Sequence, residues 1–306
     1  IHLNKINLQG QGIRTSTVAV KFIRKADSHR FWIVNTDNQI LLYNFWTQTN
    51  ELVCGDKYAP IRLQGDSIYC IDSDGANNLW VASNEGLNKI NIAGNNFKFK
   101  SYLPAPFGGS LPQSRILDIK CQGDKTVWVG TEAGLLYLDV VKNQFNYHPE
   151  IQNSQNGLAK IEHIEIDKGG KVAILNNGNE IWIKSDKNPS ANFIRLFTNN
   201  PIIESEIETF AIDNFGIWYS NKQGHKLNFT GYNLQKKQFS TDSDINRING
   251  IKCDVSGNIW LLHNLDLCFI PNTNTINKID LRLSPFNLNE PIWINNLLED
   301  EQGNLI

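Results

Sequence analysis

Apolar and polar residues alternate along this chain in short runs, and the runs come in groups of four. The group between residues 67 and 102 is the clearest. Ser67, Ile68, Tyr69, Cys70, Ile71 and Asp72 predict a short strand ending on an acid. Asp74, Gly75, Asn77 and Asn78 are turn residues. Residues 79–83, centred on Trp80, predict a second strand, and Asn84, Glu85 and Gly86 a tight hairpin. Residues 87–92 and 97–102 each alternate again, as third and outer-edge fourth strands should.

The next group repeats this order through Ile116, Leu117 and Ile119, the strand around Trp128, a turn at Gly134 and a last strand around Phe145. The unit recurs about every 45 residues. Trp32, Trp80, Trp128, Trp218 and Trp260 occupy its second strand. The fourth unit has Ala173 there instead, with Trp182 one strand later, where it is expected to refill the vacated space.

A four-stranded sheet of this kind leaves apolar faces in water unless sheets pack side by side around an axis. The pattern therefore predicts an all-β, seven-bladed β-propeller as one domain, residues 1–306. Its units are 18–62, 66–111, 114–158, 161–203, 206–245 and 247–290. Residues 1–12 read as a fourth strand without predecessors, and 292–306 as a first strand without successors. Together they are expected to form a composite seventh blade that hides open sheet edges. Six blades with a remnant is the alternative. The indoles suit the wedge between blades and are assigned to the blade core.

Composition narrows the partners. With 29 basic and 31 acidic residues the net charge is −2, and no basic stripe is present, so nucleic acid is not an expected partner. No apolar run is long enough to span a bilayer, so no membrane contact is expected. The 40 asparagines gather between apolar runs, where tight turns favour them. The chain has no Met and ends on Gly303, Asn304, Leu305 and Ile306 as if inside a repeat, so it reads as part of a longer protein. Five cysteines match neither a disulfide framework nor a zinc motif. Cys70, Cys121 and Cys253 read as small buried hydrophobes in first strands. One incidental bridge in an oxidising compartment stays open.

No catalytic, cofactor or metal motif is present. The six histidines fall in different units, and His163 and His263 read as structural. Paired acids such as Asp72 and Asp74 lack the donor order of a calcium loop, so they read as caps of their own turns. The stretch from Ser73 to Trp80 approximates a sialidase-type turn with the wrong spacing. Binding is the expected chemistry. First strands should line the axis, and the loops entering them share one face with the loops joining strands two and three. Arg62, Phe107, Arg115, Arg247 and Trp293 stand in or beside those entry loops. Arginine forks beside an aromatic face suit a hydroxyl-rich or anionic sugar.

Asn78-Leu79-Trp80-Val81-Ala82-Ser83-Asn84-Glu85-Gly86-Leu87 and Val127-Trp128-Val129-Gly130-Thr131-Glu132-Ala133-Gly134-Leu135 resemble the two-component regulator propeller repeat. The likeness extends along the chain and is strongest in the second and third units. The asparagine content is similar to that of proteins from gut Bacteroides. The resemblance implies the first propeller of the periplasmic sensor region of a hybrid two-component histidine kinase. It further implies an oligosaccharide ligand, a following propeller of the same chain and a homodimeric receptor. This part would not itself be an enzyme; its alternatives are a purely structural or protein-interaction propeller and, third, a carbohydrate-active lyase or hydrolase. The family motif consists of scaffold positions, so it carries over no binding residue.

Overall fold

The computed structural model describes residues 20–55, 63–93, 96–106, 110–152, 159–177, 180–196, 206–222, 224–232, 236–240, 248–254, 257–263 and 266–270. The segments expected to form the closing blade, 1–12 and 292–306, lie outside these residues.

The described chain forms six antiparallel sheets in which each strand pairs with the next. The first contains β1 (Val20–Lys25), β2 (Arg30–Asn35), β3 (Ile40–Asn44) and β4 (Thr49–Cys54). The second contains β5 (Ile68–Ser73), β6 (Asn78–Ser83), β7 (Gly86–Ala93) and β8 (Asn96–Tyr102). The third contains β9 (Ile116–Gln122), β10 (Thr126–Thr131), β11 (Gly134–Asp139) and β12 (Gln144–Tyr147), followed by the one-turn helix α1 (Pro149–Gln152). The fourth contains β13 (Ile161–Ile166), β14 (Val172–Asn176), β15 (Glu180–Lys184) and β16 (Ile194–Arg195). The fifth contains β17 (Ile207–Ile212), β18 (Gly216–Asn221), β19 (Gly224–Gly231) and β20 (Lys236–Ser240). The sixth has three described strands, β21 (Ile248–Cys253), β22 (Ile259–His263) and β23 (Asp266–Ile270). First strands neighbour first strands from sheet to sheet, so β1, β5, β9, β13, β17 and β21 form the innermost layer.

Burial explains why the sheets need one another. Trp32, Trp80 and Trp128 are fully buried, and Trp218 and Trp260 nearly so. Each of the first three is covered by the sheet that follows. Trp32 packs with Ile71, Leu79 and Val81, Trp80 with Ile119, Val127 and Val129, and Trp128 with Ile164, Val172 and Ile174. Trp218 meets Ile251, Ile259 and Leu261 in the same way. Two glycines of the repeat are fixed by space. A Cβ on Gly130 would lie 2.9 Å from the Ile161 carbonyl oxygen of the next sheet. Gly86 turns the β6–β7 hairpin at φ 146°, and a Cβ there would lie 2.4 Å from the Tyr102 carbonyl oxygen.

The fourth sheet corrects one expectation. Trp182 does not refill the space beside Ala173. It packs on the opposite face, toward Trp128 and Phe193. The room left by Ala173 is taken by Phe210 and Tyr219 of the fifth sheet. Phe210 and Tyr219 stand where neighbouring sheets carry aliphatic residues, so lost indole volume is replaced from across the interface.

Candidate functional site

Every described first strand carries one extra residue against its partner strand, at the same place. The extra residues are Lys21, Tyr69, Leu117, Glu162, Glu208 and Asn249. A bulge leaves its residue out of the ladder and re-aims it, which is why such irregularities gather near sites. Here they mark the end of each innermost strand that follows the entry loop. Among the described side chains, the mouth of this inner layer is therefore furnished by a chemically varied set, Lys21, Tyr69, Leu117, Glu162 and Glu208, at equivalent positions.

Part of this mouth is a recess of about 330 Å³. Leu117, Glu162 and Glu208, three bulge residues from consecutive sheets, line it with Lys160, His163, Ile207 and Lys222. The Lys160 ammonium lies 2.5 Å from Glu162 Oε1, and the Lys222 ammonium donates to Glu206 Oε2 at 2.6 Å. That bond holds the Glu206 carboxyl below its ordinary range and raises the Lys222 ammonium. Two lysines and two glutamates leave the lining formally neutral while filling it with donors and acceptors.

Below the mouth, the residues paired opposite each Trp position are Arg24, Asp72, Lys120, Glu165, Ala211 and Lys252. The charges alternate from Arg24 to Glu165. Arg24 Nε meets Asp72 Oδ1 at 3.1 Å, and Lys120 Nζ meets Glu165 Oε1 at 3.2 Å, each pair joining two sheets. Asp72 Oδ2 also accepts the Cys121 N–H at 2.7 Å, and Asp118 Oδ2 accepts the Ile164 N–H at 2.8 Å. Burial pushes the Asp118 carboxyl above its ordinary range, against the pull of Lys120 and His163. Burial also opposes the charge on Glu165, but Lys120 and Lys252 override it and hold that carboxyl low.

The turn acids do structural work. Asp74 accepts the Ala76 and Asn78 N–H groups and the Trp80 indole N–H, the last at 3.4 Å. Asp213 and Asp254 take the Trp218 and Trp260 indoles, each at 2.9 Å. In the third sheet Gln122 accepts the Trp128 indole at 2.9 Å instead. Among the described residues, no three His, Cys, Asp or Glu side chains are grouped to hold a metal ion. Cys54, Cys70, Cys121 and Cys253 are free thiols, and burial raises them all, Cys54 to about 12. His148 is buried in an aromatic cluster, stacked on Trp128 at 5.4 Å.

Of the sequence-assigned ligand residues, Arg115 lies among the described residues. It is exposed before β9, and its guanidinium sits 4.5 Å from the centroid of the Tyr69 ring. Arg62, Phe107, Arg247 and Trp293 lie outside them. His163, expected to be structural, is exposed and faces the recess. The recess residues Lys160, Glu162, Glu208 and Lys222 escaped the sequence reading, which looked to arginines and aromatics. For Glu162 and Glu208 the signal was the one-residue surplus of each first strand, countable back from the Trp position; Lys160 and Lys222, just outside β13 and β18, carried none.

No family model matches the sequence, and no curated protein matches it. Solved structures do. A streptogramin B lyase matches with a TM-score of 0.67 at 14% identity, over 94% of this chain and 89% of that one. A catalytically inactive virginiamycin B lyase from Staphylococcus aureus with quinupristin matches at 0.64 and 13% identity, over 90% of this chain and 89% of that one. The extracellular domain of the putative one component system BT4673 from B. thetaiotaomicron matches at 0.63 and 18% identity. That match covers 86% of this chain, which spans 34% of the other. The β-propeller domain of Myceliophteria thermophila Cps50 matches at 0.53 and 11% identity, over 85% of this chain and 99% of that one. At these identities the likeness establishes the fold, an all-β arrangement of four-stranded sheets of the β-propeller kind.

Proposed function

We propose that this chain is a ligand-sensing propeller of an extracytoplasmic, periplasmic receptor, which recognises an oligosaccharide at the mouth of the ring. Its partners in this reading are a following propeller of the same chain, a second receptor copy and, across the membrane, a histidine kinase. The ring closes as seven blades, the last completed by residues 1–12 and 292–306. The chain binds its ligand without turning it over.

The observation that carries this reading is the recess at Leu117, Glu162 and Glu208. Its charges cancel, its polar groups both donate and accept, and Leu117 and Ile207 supply an apolar wall. An uncharged polyol satisfies such a surface better than an anion or a nucleic acid does. The resemblance to the two-component regulator propeller repeat and the fold shared with the extracellular domain of a putative one component system support the same context.

Calorimetric titration against a panel of oligosaccharides tests it. The wild-type chain should bind at least one, and a variant carrying Glu162→Ala and Glu208→Ala should bind it about tenfold or more weakly, roughly 1.4 kcal/mol. Unchanged affinity in that variant would sink the assignment of the recess. Heat seen only with a complete extracellular region would favour the structural propeller. Turnover of any oligosaccharide would favour the lyase or hydrolase reading, which the likeness to the streptogramin B lyase fold keeps in view.

A further inference from the structure

At the opposite end of the strands from the recess, the β3–β4 turn holds Trp46 with 73% of its surface exposed. The other Trp residues described are buried or half-buried. The turn is rigid. Asn44 Oδ1 accepts the N–H groups of Trp46 at 2.9 Å and Thr47 at 3.1 Å, and the Phe45 N–H reaches the His29 carbonyl at 2.9 Å. The His29 ring meets the indole edge-on, with centroids 3.7 Å apart, and is itself held by Ser28 Oγ at 2.8 Å.

The repeat supplies an internal control. The β11–β12 turn of the third sheet is built the same way, with Asp139 Oδ1 accepting the Val141 and Lys142 N–H groups. Val141 stands there in the place of Trp46. The turn thus forms without an aromatic residue, and folding does not require the indole. Around Trp46 the polar groups are uncharged hydroxyls: Ser28, and Thr47 paired with Thr49 at 2.8 Å. The nearby charges, Asp27 and Arg30, neutralise each other at 2.6 Å.

We infer that Trp46, braced by His29, is a second carbohydrate-binding platform, separate from the recess, on which the apolar face of a pyranose ring in an uncharged polysaccharide stacks. A fixed indole stacks with little loss of side-chain entropy, and the neighbouring hydroxyls can take the rim of the sugar. An anionic membrane surface would call for unpaired basic groups, which this neutral rim does not offer. With the mouth at one end of the strands and the platform at the other, one molecule could engage a long chain at two places.

Affinity electrophoresis through gels containing dextran, galactomannan, glucomannan or xyloglucan tests this, with Trp46→Val as the variant, since the third sheet already tolerates Val in this turn. At least one polysaccharide should retard the wild type, and W46V should bind it about tenfold more weakly while its unfolding midpoint stays put. His29→Ala should weaken it by a smaller factor. The Glu162→Ala and Glu208→Ala variant separates the two sites: it should keep Trp46-dependent retardation even if the recess assignment fails. Retardation by none of the four, or equal retardation of W46V, would overturn the platform. Trp46-dependent binding to phosphatidylethanolamine and phosphatidylglycerol vesicles in place of polysaccharide would overturn it as well.

Discussion

Trp80 and Trp32 occupy the same place in consecutive repeats yet differ in one hydrogen bond. The Trp80 N–H reaches the turn carboxylate of Asp74, whereas the buried Trp32 N–H finds no partner among the described residues. The reason is local: in the first turn Asp27 is already taken by the Arg30 side chain at 2.6 Å. Replacing either indole by Ala should cost about 3–5 kcal/mol, because both are fully buried. Replacement by Phe should separate them. At Trp80 it removes the long indole bond to Asp74 Oδ2, an oxygen that keeps the Asn78 side-chain N–H at 2.6 Å, and should cost about 0.5–1.5 kcal/mol beyond the change in packing. At Trp32 it removes an unsatisfied donor, so Trp32→Phe should be the milder substitution. Urea unfolding midpoints of the two Phe variants check the order; equal losses would remove the turn-to-indole bond from the account.

At the scale of the element, the interface between the fourth and fifth sheets reaches a full core by a different division of volume. Ala173 contributes little, and Phe210 and Tyr219 contribute more than their aliphatic counterparts elsewhere. Restoring the repeat residue with Ala173→Trp should therefore destabilise by overpacking, about 1–3 kcal/mol. Adding Phe210→Ile and Tyr219→Val in the same chain should recover most of that loss. A cycle of thermal melts on the single, double and triple variants measures the coupling. Additive effects would mean that the side chains do not share one space.

For the whole molecule, the charged layer that ties inner strands together sets the response to acid. The Glu165 carboxyl is held low in the fold, so its contribution is present above its unfolded pKa and disappears as pH falls through the folded value. Asp118 is pushed up, so it has the opposite sign: ionising it becomes a burden as pH rises from the unfolded value through the folded one. Glu165→Gln should lower stability near neutrality and flatten its decline in acid. Asp118→Asn should raise stability near neutrality relative to acid. Unfolding midpoints followed from the acidic range to neutrality give both slopes, and a Glu165→Gln profile parallel to wild type would take that residue out of the acid response.

The spacing of Trp, turn Asp and hairpin Gly determined, without coordinates, that the chain builds four-stranded sheets and that the indoles need a neighbouring sheet to cover them. That much was legible because alternation and turn chemistry act between residues close along the chain. Partnerships between residues one repeat apart were not. That Arg24 meets Asp72, that Lys120 meets Glu165, that Phe210 and Tyr219 rather than Trp182 fill the space beside Ala173, and that Leu117, Glu162 and Glu208 share a recess depends on how sheets are placed around the axis. The bulge residues carry no signature in residue type, only in position. Tertiary packing alone turned that surplus residue of each inner strand into the furnishing of a common mouth.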